Sequence, residues 1–173
     1  MKKSDINPMP AFFDRYIHIV EDITLNDALS KYTPENIFGD IDLLLALEDR
    51  VYAPGKWTVR DIVQHVIDNE RIMAYRALRF SRNDHTVLPG YDEELLGAHT
   101  MANQRPLLEL IAEWKSVRTS TQYLFKGMNE EMIIRSGVAY KSEISALALG
   151  FVIVGHPIHH MNVIRERYFP LLV

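Results

Sequence analysis

The chain has 173 residues, with 19 Lys and Arg against 23 Asp and Glu and no cysteine. That length fits one domain that buries its own core, while the lack of cysteine excludes disulfides, thiolate zinc sites and a cysteine nucleophile. A net charge of −4 without any Lys/Arg cluster leaves no footprint for a nucleic-acid backbone.

Pro8 and Pro10 keep residues 1–10 irregular and loosely held, ahead of a single domain over 11–173. The same prolines, with Asp5 and Asn7, interrupt the apolar run a signal peptide needs. Residues 11–33 carry short helical patterns with no long period. Thr33-Pro34 then opens a first helix, in which Ile37, Phe38, Ile41, Leu44 and Leu45 recur at three and four until about Arg50. A second helix starts at the Thr58/Asp61 capping box, with Trp57 and Ile62 placed as a staple, and runs to about Phe80. Its stripe is Val59, Ile62, Val63, Val66, Met73 and Ala77. A third helix spans roughly 104–126 and stops at Gly127; a fourth runs from about Ser142 to Tyr168. Within the fourth, the apolar run Ile144 to Ile153 is short of the ~20 residues that span a bilayer, so the protein reads as cytoplasmic. No stretch reads as a strand. Four long helices predict an all-α four-helix bundle. The connection 83–103 is long enough for a crossover that sets helices 2 and 3 parallel.

Three of the seven histidines crowd into Gly155-His156-Pro157-Ile158-His159-His160. His156 and His160, four apart, share a helix face with Leu149, Val152 and Val163, so the pair points inward at metal-ligand spacing. His159 is a rival partner for His156 on spacing alone. His65, at the margin of helix 2's apolar stripe beside Ile62 and Asn69, is the candidate third donor. His18, His85 and His99 fall in weakly patterned segments and read as surface residues. Glu70 lies within the apolar stripe of helix 2, where a carboxylate is costly unless paired; Arg165, Arg167 or an imidazole is its expected partner. From His65 to Asn83 helix 2 rises roughly 27 Å. The connection is therefore expected to stay off an ion at His65, although its length allows it to fold back along the bundle, with Tyr91, Asp92, Glu93 and Glu94 forming a packed cover or subunit contact.

Three blocks carry a resemblance: Tyr52-Ala-Pro-Gly-Lys-Trp-Thr-Val-Arg-Asp-Ile-Val-Gln-His65 and the helix after it to Arg79, Leu88-Pro-Gly-Tyr-Asp-Glu93, and Gly155-His-Pro-Ile-His-His-Met-Asn-Val-Ile-Arg-Glu-Arg-Tyr168. In this order the chain resembles the DinB/YfiT-like superfamily from about residue 35 onward. The resemblance implies a four-helix bundle of up-down-down-up topology. It also implies a divalent metal held by His65, His156 and His160, with His159 a non-ligand. Many relatives place an acidic residue directly after the first of the helix-4 histidines; here Pro157 stands there, which predicts a local kink at His156.

Three imidazoles on one ion leave coordination positions open, as catalytic sites do. Zn or Ni is the expected ion, with Fe or Mn next. Superfamily relatives include thiol-dependent S-transferases, and with no cysteine in the chain a thiol must come from outside. The leading expectation is therefore a metal-dependent transferase acting on a small-molecule substrate with a low-molecular-weight thiol. The alternatives are a metal-dependent hydrolase and a non-enzymatic, stress-related metal-binding bundle. A homodimer is the expected assembly, with no nucleic-acid or membrane partner.

Overall fold

The capping box forms as written: Asp61 N donates to Thr58 Oγ1 at 3.1 Å and Thr58 N donates to Asp61 Oδ2 at 2.9 Å. It opens a helix of 23 residues, Val59–Ser81, whose apolar positions at three and four bury one long face. A computed structural model covering Met1–Val173 places this helix fifth in the chain. In order come α1 (Asp14–Ile17), α2 (Leu25–Lys31), α3 (Pro34–Ile37), α4 (Ile41–Ala46) and the long α5 (Val59–Ser81). They are followed by α6 (Glu93–Ala98), α7 (Leu107–Lys126), α8 (Glu130–Ile134), the hairpin β1 (Ser136–Ala139) and β2 (Ser142–Ser145), and α9 (Ala146–Arg167).

Three departures from the sequence expectation have local causes. The first helix is broken into α3 and α4, because Gly39 and Asp40 are poor interior helix formers. The break also lets Phe38 turn inward, edge-on to Trp114 with ring centroids 5.3 Å apart. The fourth helix begins at Ala146 rather than Ser142, since residues 142–145 pair with 136–139 in an antiparallel hairpin. Four-residue strands joined by Tyr140-Lys141, with Tyr140 at φ 59°, carry none of the Asn-Gly or Gly-X marks of a tight turn. Finally, the N-terminal ten residues are tied down: Leu25 N donates to Met1 O at 3.0 Å, Ser4 N donates to Asp22 Oδ1 at 2.8 Å, and Ile6 is buried.

Cross-helix pairs give the helix directions. Asp61 meets Asn103, Gln64 meets Arg105, Arg71 meets Glu113 and Glu70 meets Arg118, so α5 and α7 run the same way. Trp57 meets Tyr168 and His65 meets His156, so α9 runs against α5. α9 with its following turn has the length and apolarity of a membrane span, but 72% of its most apolar window is buried inside the protein, as in a core helix.

Glu70 is 1% exposed, and its partner comes from α7, not α9. Arg118 donates Nε to Oε1 and Nη2 to Oε2, both at 2.9 Å, and Trp114 Nε1 donates to Oε2 at 2.8 Å. Arg165 instead pairs with Asp40 at the surface, and Arg167 stacks over Tyr52. The stripe of α5 that holds Glu70 faces its parallel neighbour, which the helical wheel of α5 alone does not reveal. Arg118 also donates to the carbonyl oxygens of Tyr32 and Ile153. The second contact, at 3.3 Å, answers Pro157: proline has no N–H to reach the carbonyl four residues back, which is that of Ile153. The helix therefore continues through Pro157 from Ala146 to Arg167.

Arg118→Met strands a buried carboxylate and is expected to cost about 3–5 kcal/mol in urea unfolding. Glu70→Gln together with Arg118→Met should cost less than the sum of the two single changes, because neither charge is then left alone.

Candidate metal centre

α5 and α9 cross so that His65 and His156 face each other, and one turn along α9 His160 joins them. The Nε2 atoms of His65 and His156 are 3.0 Å apart, those of His160 and His156 3.1 Å, and the donor atoms of all three lie within 4.8 Å of one another. His159, the rival on spacing, sits half-buried on the flank, its ring 5.4 Å from that of His160 and outside this group. His18, His85 and His99 are exposed, as expected.

Packing fixes the three rings. Trp57 lies 4.8 Å from His65, centroid to centroid, and Tyr16 stands edge-on to His156 at 5.1 Å. The approach of Tyr16 depends on Gly155, where a Cβ would come within 2.0 Å of the Tyr16 carbonyl oxygen. No larger residue lets α1 rest on α9 directly beside His156.

Burial keeps all three imidazoles neutral. Desolvation pushes His65 down to about 4 and His160 to about 3, the latter helped by the nearby His65 and His159. His156, the most deeply buried, is pushed well below its usual range, first by desolvation and then by the neighbouring histidines. Neutral imidazole is the form that ligates metal.

The donor set fits a cation better than it fits itself. A ring nitrogen carries either one proton or one lone pair, so His156 Nε2 cannot make two good hydrogen bonds to its two neighbours. Three lone pairs directed at one ion satisfy all three nitrogens. Tetrahedral ligands at ~2.0–2.1 Å sit about 3.3 Å from each other, close to the 3.0 and 3.1 Å of the two pairs made by His156. The second nitrogen of His156, Nδ1, is buried with no hydrogen-bond partner, so its ring is held by packing alone.

The connection between α5 and α7 does not stay clear of this cluster. It returns antiparallel along α5, pinned at Leu88, whose N donates to Val138 O at 2.9 Å, and at Asn103, whose Nδ2 donates to Asp61 Oδ1 at 2.9 Å. Between them Asn69 Nδ2 donates to Tyr91 Oη at 2.7 Å. α6 is thereby laid over the histidines, with Glu93 lining a small pocket beside His65 and Glu94 one beside His160. The rise of α5 was a sound measure of the helix; the hairpin supplied the backbone edge that sends the chain back.

A cavity of about 610 Å³ opens on His156, walled by α1, α5, α9, the connection and the hairpin turn. Its size is that of a small-molecule site. Asn69, Met73 and Arg76 reach it from α5 and Val152 from α9. Arg76 went unnoticed in the sequence, although it lies eleven positions after His65 and so shares its helix face.

Comparison with known proteins agrees with the fold. The DinB superfamily model matches residues 13–164. YfiT from Bacillus subtilis, described as a probable metal-dependent hydrolase with an unusual four-helix bundle topology, is similar in structure at a TM-score of 0.68. It is 18% identical, over 92% of this chain and 87% of that one. No functionally curated protein matches the chain.

Elemental analysis of untagged protein should find about one divalent ion per chain, lost in His65→Ala, His156→Ala and His160→Ala and retained in His159→Ala. Metal retained by the His65 variant would refute the triad. In chelator-treated protein the pH dependence follows from the depressed imidazoles. The unfolded chain takes up protons near the ordinary 6.5 while buried His65 and His160 refuse them until about 4 and 3. Stability is thus fully present above about 6.5 and falls as pH drops toward 4, and urea midpoints across that window should flatten in His65→Ala.

Proposed function

This chain belongs to the DinB superfamily, and on that premise we propose that it is a metal-dependent hydrolase of small molecules, built on an up-down-down-up bundle. The observation that carries the reading is the convergence of three neutral Nε2 atoms, one of them on His156, which lines a cavity of about 610 Å³. His65, His156 and His160 would hold one divalent ion, Zn or Ni first. When bound, such an ion supplies Lewis acidity and brings the pKa of a coordinated water toward ~7.

The chain's own residues supply the rest. Trp57, Tyr16 and the carbonyl contact at Gly155 orient the imidazoles and exclude water from their flanks. Glu93 lines both the pocket beside His65 and the cavity at His156, which makes its carboxylate the acceptor for a proton released there. Asn69 and Tyr91 hold the connection over the site through their mutual hydrogen bond. The description of the structurally similar YfiT supports hydrolysis over transfer to a thiol.

The test is turnover of an ester and amide panel by metal-loaded protein, with and without added thiol. Hydrolysis without thiol is the expected result; turnover that requires thiol would replace this reading with a transferase, and no turnover would favour a binding protein. Glu93→Gln is expected to keep its metal while losing roughly 10²–10⁴ in kcat.

A further inference from the structure

α5 presents a second polar anchor on the face that carries His65. Eleven residues at 3.6 per turn bring Arg76 within about 20° of His65, roughly 16 Å further along the axis. Helical side chains lean toward the N-terminus, so the guanidinium reaches back and the gap to the histidines narrows to on the order of 10 Å.

Arg76 is 5% exposed and lines the cavity that opens on His156. Arg71, Arg79, Arg105 and Arg118 all pair with carboxylates, and Arg76 pairs with none. Its Nη2 donates to the Pro89 carbonyl at 3.0 Å, its Nη1 lies 3.6 Å from Met73 Sδ, and the group sits over the Tyr91 ring at 5.6 Å. Those contacts hold the side chain in place and leave most of its N–H donors unused. A buried guanidinium with no counter-charge is costly, and a cavity wall is where a ligand's negative group removes that cost.

The cavity's other charges narrow the choice. Asp92, Glu93 and Glu94 of the connection and Lys141 of the hairpin turn line it as well; three carboxylates against two cations repel a dianion, while a single carboxylate balances Arg76. Between Arg76 and the histidine end the lining includes Met73 and Val152, which suit a short methylene chain, and Asn69, whose amide is the polar group nearest His65 on that face of α5.

We propose that Arg76 determines specificity by receiving the carboxylate of a substrate whose apolar chain of about six carbons lies along Met73 and Val152 and whose ester or amide bond lies at the histidine end. Only the last clause rests on the hydrolase reading. In that reaction the oxygen of water bonds to the acyl carbon. The bond from that carbon to the leaving nitrogen or oxygen breaks, and the leaving atom takes the proton.

The experiment is calorimetric titration of the full-length protein, as purified, with hexanoate and with hexanamide. A charge-assisted hydrogen-bonded pair should favour hexanoate by roughly 10–100-fold in wild type. Arg76→Gln should abolish the preference, and Arg76→Lys should keep part of it, with metal content equal in all three proteins. After chelation the preference should persist, because the guanidinium and not the ion holds the carboxylate. Equal binding of the two probes by wild type, a preference that survives Arg76→Gln, or one that disappears on chelation would each overturn the proposal. Should Arg76→Gln fail to fold, the wild-type comparison and Arg76→Lys still decide it. Loss of the hydrolase reading is separable, since it would appear as absent metal or absent turnover with the Arg76-dependent preference intact.

Discussion

Arg118 is the point at which separate parts of the chain are made to agree. From α7 it holds Glu70 of α5 with two hydrogen bonds, the Tyr32 carbonyl between α2 and α3, and the Ile153 carbonyl of α9. Both charges are nearly fully buried, so the pair is not an adhesive that can be dropped without consequence. Its value lies in geometry. A planar guanidinium offers donors in fixed directions, and each carbonyl or carboxylate it meets must come from the right helix at the right height. Hydrophobic contacts alone tolerate sliding and rotation; this set does not.

The histidine cluster inherits that rigidity. Pro157 next to His156 would ordinarily leave an unsatisfied carbonyl and a bend in the helix that carries two of the three histidines. Arg118 satisfies the carbonyl from outside the helix, and α9 carries on past His160 to Arg167. On the opposite flank the bare backbone of Gly155 admits Tyr16. His156 is thus set between two local irregularities, a proline and a glycine, each answered by a different element. Such compensation has a reason at a histidine whose own Nδ1 has no hydrogen bond to fix the ring.

Much of this was legible in the sequence where periodicity and spacing are strong. The capping box, the stripe of α5, the stop at Gly127, the inward pair His156 and His160 and the crossover connection all rest on local rules. What escaped has a common character, in that it depends on which element lies opposite. Glu70 was recognised as buried, but its partner followed from the parallel pairing of α5 with α7. The hairpin 136–145 was too short to show alternation, and its turn residues were unmarked. The length of the connection allowed it to fold back along the bundle, but without the hairpin nothing in the chain fixed that path over the histidines. Arg76 could have been found by counting eleven from His65, yet a lone arginine on a helix is ordinarily solvated.

The doubled-back connection also divides the labour of the molecule. Imidazoles and buried network belong to α5, α7 and α9, whereas much of the cavity's rim belongs to a segment fastened at Leu88 and Asn103 and bridged at Tyr91. A loop seated on a rigid scaffold can change length and side chains without disturbing the core beneath it. This fold is therefore built to diversify: ligand choice can drift through one replaceable strip of surface while the histidine cluster below stays in place. Grafting a different strip between the same two fastenings would be the natural way to re-address the site.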